Sequence, residues 1–240
     1  MPYRSLRANL IIETAETLAA RVSERFPKSG LTGVAKELIA LSKDIQTDVK
    51  TIGEPIVWLR MVLGIVVASG TGAFILLAWL VAKDSTEAIG ASDLVQAVEA
   101  AINTAVLSGA GLFTLVKLEE RLKRQRALNG LHGIRSLIHV IDMHQLTKDP
   151  AALNADFAPT ASSPTRQMNR AELLRYLDYC SEMLALTGKI AALYAQALDD
   201  AVVVGAVNDI ETLGSNLSRK VWQKISLISS TGSQRLPKGG

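Results

Sequence analysis

The residues best suited to chemistry in this chain stand close together. His132, Arg135, His139 and Asp142 recur at i, i+3, i+7 and i+10, so they share one face of a helix. Imidazoles ligate metals or move protons, and a neighbouring carboxylate orients them. The spacing argues against a metal. His132 and His139 lie two turns apart, about 10.5 Å along the axis, too far to share one ion. His139 with Asp142 supplies two ligands, and no third stands nearby. The face therefore reads as a polar seam between helices, with Asp142 pairing Arg135 or His139. The single cysteine, Cys180, has no Cys or His cluster around it and excludes an intrachain disulfide. We expect no catalytic residue, metal or cofactor.

A second polar set lies in an apolar segment. Gln96, Glu99, Asn103 and Thr114 fall mostly on one side of a helix. Polar groups at membrane depth face a partner, water or a pore. Two helices cannot enclose a conduit, so a pore lined by this stripe requires an oligomer. Small residues recur every fourth position beside it: Gly64, Ala68 and Gly72, then Ala97, Ala101, Ala105 and Gly109. Such faces let helix backbones approach closely where lipid gives no hydrophobic drive. They are read as packing the hairpin internally or against neighbouring subunits.

The elements that must carry these stripes are two membrane spans. Met61 to Ala82 contains no charged residue. At about 1.5 Å per residue it reaches ~33 Å, enough for a hydrocarbon core of ~30 Å. Trp58 and Trp79 fall near its ends, where indoles prefer to sit. A second uncharged run, Ala100 to Val116, follows a short loop and reads as the return span. We place the hairpin at 55–117, with spans at about 58–82 and 95–117. The loop carries Lys83, Asp84, Glu87 and Asp93. The flanks carry Lys36, Lys43, Lys50 and Arg60 before the first span, and Lys117, Arg121, Lys123, Arg124 and Arg126 after the second. Lys and Arg bias a segment to the cytoplasm. The expectation is an integral inner (plasma) membrane protein with both termini cytoplasmic.

The remainder is helix-periodic. Residues 1–54 hold amphipathic helices, the second striped by Val34, Leu38, Leu41, Ile45 and Val49. Residues 118–148 extend the return span into the cytoplasm, with Gly130 and Gly133 as places to bend. Residues 149–168, rich in Ala, Pro, Ser and Thr, read as a flexible linker. Residues 169–228 form a helical hairpin opened by a heptad seam, Leu173, Leu177, Cys180, Leu184, Thr187, Ala191 and Tyr194. Asp199 and Asp200 offer a cap for its second helix, and residues 229–240 read as a disordered tail. The fold class is all-α: a two-helix transmembrane hairpin, amphipathic N-terminal helices and a cytoplasmic helical bundle with coiled-coil-like character.

The chain has 240 residues and a formal charge of +3. Its basic excess clusters at the inner membrane edge, which suits anionic lipid headgroups. Few aromatics accompany it, so nucleic acid is not an expected partner. No P-loop, Rossmann glycine pattern or nucleophile elbow is present.

The outline over residues 31–147 resembles the two-transmembrane effector proteins of bacterial conflict systems, the SLATT type among them. The resemblance is one of architecture. It implies an oligomeric, non-enzymatic effector whose cytoplasmic helices respond to a protein or small-molecule signal and whose hairpin perturbs the membrane. The Arg135 and His139 pair is similar to the Arg–His motif of HEPN-type helical RNases. Its spacing is shorter than that motif's, so nuclease activity is not carried over. The competing reading is a passive anchor that docks a cytoplasmic partner.

Overall fold

The computed structural model describes residues 5–84, 91–153, 157–163 and 168–233. Six α-helices follow in order: α1 (Ala8–Arg25), α2 (Gly30–Gly53), α3 (Val57–Asp84), α4 (Ala91–Leu146), α5 (Arg170–Ala197) and α6 (Ala201–Ser233). A 3-10 turn, Pro150–Leu153, lies between α4 and α5. No strand occurs among the described residues. The chain divides into two units, Glu54–Gln125 and the combination of Met1–Gly53 with Arg126–Gly240.

The larger unit is built from amphipathic helices that bury their stripes on one another. In α1 the buried positions are Ile11, Ile12, Ala15, Leu18, Ala19 and Val22. Pro27 follows, and the helix closes with the Phe26 N–H on the Val22 carbonyl at 2.8 Å. In α2, Val34, Leu38 and Ile45 are buried, with Leu41 and Val49 partly so. The end of α4 contributes Ala127, Leu131, Ile134, Leu137, Ile138 and Ile141.

Helix α5 is the central strut. Its start is a capping box: Asn169 Oδ1 accepts from the Glu172 N–H at 2.9 Å, and Glu172 Oε2 accepts from the Asn169 N–H at 2.8 Å. Every residue of the expected heptad seam is buried, but so are Tyr176, Tyr179, Met183, Leu186, Ile190 and Leu193. A coiled-coil helix buries one narrow seam. A helix buried on most sides is instead the middle of a bundle. The seam is thus buried inside one chain, as part of a bundle. Helix α6 starts where the aspartates suggested, with Asp200 Oδ1 accepting from the Val202 and Val203 N–H groups at 3.0 and 3.2 Å.

Three boundaries differ from the sequence reading. Helix α4 runs unbroken through Gly130 and Gly133, and Gly130 packs under Tyr194. Helix α6 continues past residue 228 to Ser233, with Ile228 buried and the Ile228 and Ser229 carbonyls accepting from Arg170. The 149–168 segment contains local order: Asp149 Oδ1 accepts from the Ala151 N–H at 2.9 Å, and Leu153 and Met168 pack on the core. Residues 154–156, 164–167 and 234–240 lie outside the described ones, as does Glu87 of the loop between the spans.

The smaller unit has the opposite character. Two helices, α3 and α4, are long and apolar enough to cross a membrane. Among their described residues in this unit, Leu59 is the one buried apolar side chain, whereas Ile65, Ile75, Val106 and Leu107 are all more than 60% exposed.

Candidate functional site

The hairpin is tied at one end by a carboxylate. Glu119 on α4 accepts from the Ile56 N–H at the start of α3 at 3.4 Å, and it lies 3.1 Å from Lys123 Nζ and 3.5 Å from Arg60 Nε. An acidic group at a helix N-terminus meets free N–H donors and the positive end of the dipole. The Lys123 hydrogen bond, above all, holds the Glu119 carboxyl below its ordinary range, against the partial burial that raises it. Sequence reasoning counted the cations here and missed this anion. Its signal was a glutamate on the inward side of a basic run, facing the residue after Pro55.

Aromatic and cationic residues mark both ends of the apolar segment. Lys83 Nζ sits 5.1 Å from the Trp79 ring and Lys117 Nζ 5.8 Å from the Phe113 ring. Lysines bent back over rings are the geometry of side chains that keep their stems in an apolar zone and their charges outside it.

Gln96, Glu99, Asn103 and Thr114, the polar stripe of the second span, are all exposed. Thr114 Oγ1 donates to the Ala110 carbonyl at 2.8 Å, so its hydroxyl is satisfied within its own helix.

The small-residue faces are open. A Cβ at Gly64, Gly72 or Gly109 would meet nothing within 4 Å. Ala68 and Ala105 are exposed and Ala101 half-buried; Ala97 lies on α4 with its side chain outside the described ones.

The histidine face is dispersed. His132, Arg135 and His139 are exposed, while Asp142 is half-buried and accepts from Gln145 Nε2. The partner anticipated for Asp142 was Arg135 or His139. The observed one lies one turn on, because Gln145 is pulled inward by α6. Lys224 Nζ donates to the Gln145 main-chain oxygen at 2.9 Å and to Oε1 at 2.7 Å. This lysine caps the last turn of α4 from another helix, where a cation suits the negative dipole end. Burial lowers its pKa, opposed by Asp149 and Asp142. Burial likewise pushes the Cys180 thiol up to about 12, so it is inert as a nucleophile. His144 is lowered by burial, then by Lys148. Among the described residues, no three His, Cys, Asp or Glu side chains gather as a metal site.

One further polar contact was invisible in the sequence. The Tyr194 hydroxyl donates to Asp48 Oδ2 at 3.2 Å while lying directly on Gly130, where an added Cβ would stand 1.8 Å from Oη. Glycine is required at 130 for this close approach.

These features define an all-helical protein with a self-packed helical unit and two helices long and apolar enough to cross a membrane. No protein family, curated protein or solved structure matches this chain.

Proposed function

We propose that the protein is a non-enzymatic, oligomeric inner-membrane protein whose cytoplasmic helical unit controls a hairpin that perturbs the bilayer by opening a pore. The observation that carries this reading is the contrast in burial. Among the described residues, the α3–α4 segment buries one apolar side chain, Leu59, while the rest of the chain gathers a continuous buried core from α1, α2, the end of α4, α5 and α6. Exposed apolar surface on this scale needs lipid or protein to cover it. Lys117, Arg121, Lys123 and Arg124 after the second span, against Lys83 in the connecting loop, support cytoplasmic termini and contact with anionic headgroups. In an oligomer, Glu99 and Asn103 form the outer mouth of the pore, with Gln96 beyond them and Thr114 at the inner end.

One observation favours the simpler reading of a membrane anchor or scaffold. Gln96 and Glu99 stand exposed near the start of the second span, where headgroups alone satisfy them. The two readings separate in cells expressing the protein, beside a Glu99→Ala/Asn103→Ala variant at matched levels. Depolarisation by the native chain, lost in the variant while membrane fractionation is unchanged, supports the pore. Absence of depolarisation in both leaves the anchor.

A further inference from the structure

A groove of about 630 Å³ lies between α5 and α6. That volume falls in the range of small-molecule sites, roughly 300–1,000 Å³. Its floor includes Gly188, where an added Cβ would meet one atom, Glu211 Cγ at 3.7 Å. Glu211, Ser215 and Trp222 recur at i, i+4 and i+11 on α6 and form one wall together with Arg219, and Lys189 on α5 stands opposite.

The chemistry of these walls is uncommitted. Four other long cations of the same unit have partners within the chain: Arg21 with Glu182, Lys43 with Glu16, Arg175 with Asp178 and Lys224 with Gln145. In the groove, Arg219, Glu211 and Trp222 make no hydrogen bond or ion pair among the described residues. Lys189 reaches only the Ala185 carbonyl of its own helix, at 3.1 Å. Trp222 leaves 53% of its surface exposed. An exposed indole is costly in water and offers a flat stacking face. A guanidinium and an ammonium are phosphate donors, the guanidinium in a bidentate fork. A carboxylate beside them accepts from ring N–H, exocyclic amine or sugar hydroxyl groups. The same carboxylate repels a polyanionic surface, which argues against a lipid headgroup layer or a nucleic-acid backbone.

We infer that this groove binds a mononucleotide, with the base on Trp222, the phosphate on Arg219 and Lys189, and Glu211 and Ser215 on the base edge or ribose hydroxyls. Nucleotide binding here stands whether or not the hairpin opens a pore, and it would supply the small-molecule signal that the pore reading requires.

The test is equilibrium dialysis of the full-length protein in lipid nanodiscs against radiolabelled AMP and GMP, with inorganic phosphate as competitor. Saturable uptake of one nucleotide per chain is expected. Arg219→Ala and Trp222→Ala should each weaken it by about tenfold or more, the change that ~1.4 kcal/mol produces. Gly188→Leu should fill the floor and abolish uptake while thermal unfolding stays at the native temperature, which separates loss of the site from loss of the fold. If neither nucleotide is taken up saturably at millimolar concentration, or if uptake is the same in the native chain and all three variants, the inference is overturned.

Discussion

Leu177 on α5 and Leu107 on α4 are the same side chain in the same kind of helix. The first is fully buried and the second is 74% exposed. The helical unit covers most of its apolar residues from within the chain. The α3–α4 segment does not, although it is the more apolar of the two. In the proposed reading the chain meets two solvents, water around one unit and hydrocarbon around the other. The contrast extends to glycine. Gly130 is covered by Tyr194 and Gly30 by His144, whereas Gly64, Gly70, Gly72, Gly109 and Gly111 face open space. At Gly130 and Gly30 of the helical unit the absent side chain is already used for packing, although Gly33 and Gly205 there are open. In the apolar segment it is still available to a partner.

The sharpest way to break this comparison is to truncate the paired leucines. Leu177→Ala should cost about 2–5 kcal/mol in denaturant unfolding of the full chain in detergent, the range for a buried leucine. Leu107→Ala should stay within ~0.5 kcal/mol. Equal losses would mean that Leu107 is covered within the chain and that the burial contrast is false.

The glycines give a smaller difference of the same sign. Gly130→Ala drives a methyl into the Tyr194 ring and should destabilise by about 1–3 kcal/mol, an overpacking cost. Tyr194→Phe in the same background should not relieve it fully, since the ring carbon Cζ would still lie 2.6 Å from the new Cβ. Gly109→Ala should leave the fold unchanged in thermal unfolding. If it instead shifts the oligomer distribution on native gels, the open glycine face is a subunit contact.

The smallest effect concerns acid. The folded state holds Glu119 below its ordinary pKa, chiefly through Lys123. A depressed carboxylate contributes stability above its unfolded value, near 4.5, and loses it as the pH falls through the folded value. Hydrogen exchange at the first amides of α3, beginning with Ile56, should therefore quicken relative to α5 as the pH drops below about 4.5. Glu119→Gln should remove that acid dependence while keeping an acceptor for the Ile56 N–H. An unchanged profile in the variant would place the acid sensitivity elsewhere.

Much of the architecture was legible in the residues. The charge-free run from Met61 to Ala82 and the flanking Trp58 and Trp79 are properties of consecutive positions, so they needed no partner to be seen. The stripes of α1, α2 and α6 follow from a 3.6-residue period, and the Asp200 cap follows from local hydrogen-bond geometry. The seam from Leu173 to Tyr194 was visible too, but its meaning was not. Periodicity reports that a face is apolar and is silent on how many neighbours cover the other faces.

The candidate site divides in the same way. Gln96, Glu99, Asn103 and Thr114 could be named from the sequence as a polar stripe, yet the tie of Glu119 to Ile56 and Arg60 could not. That contact joins positions some sixty residues apart along the chain. Likewise, Asp142 was expected to pair with Arg135 or His139, and the structure pairs it with Gln145. Lys224 approaches from 79 positions away and draws Gln145, not Arg135, toward it.

What the sequence determined alone is therefore everything carried by near neighbours: helix class, caps, the two apolar segments and the sign of the charge at their ends. What only the tertiary structure decided is which polar and small residues meet. Tyr194 on Gly130, Lys224 on Gln145 and the uncommitted groove under Trp222 all arise where separate helices cross. A crossing is set by the summed packing of whole helix faces, and no local pattern of residues encodes that sum.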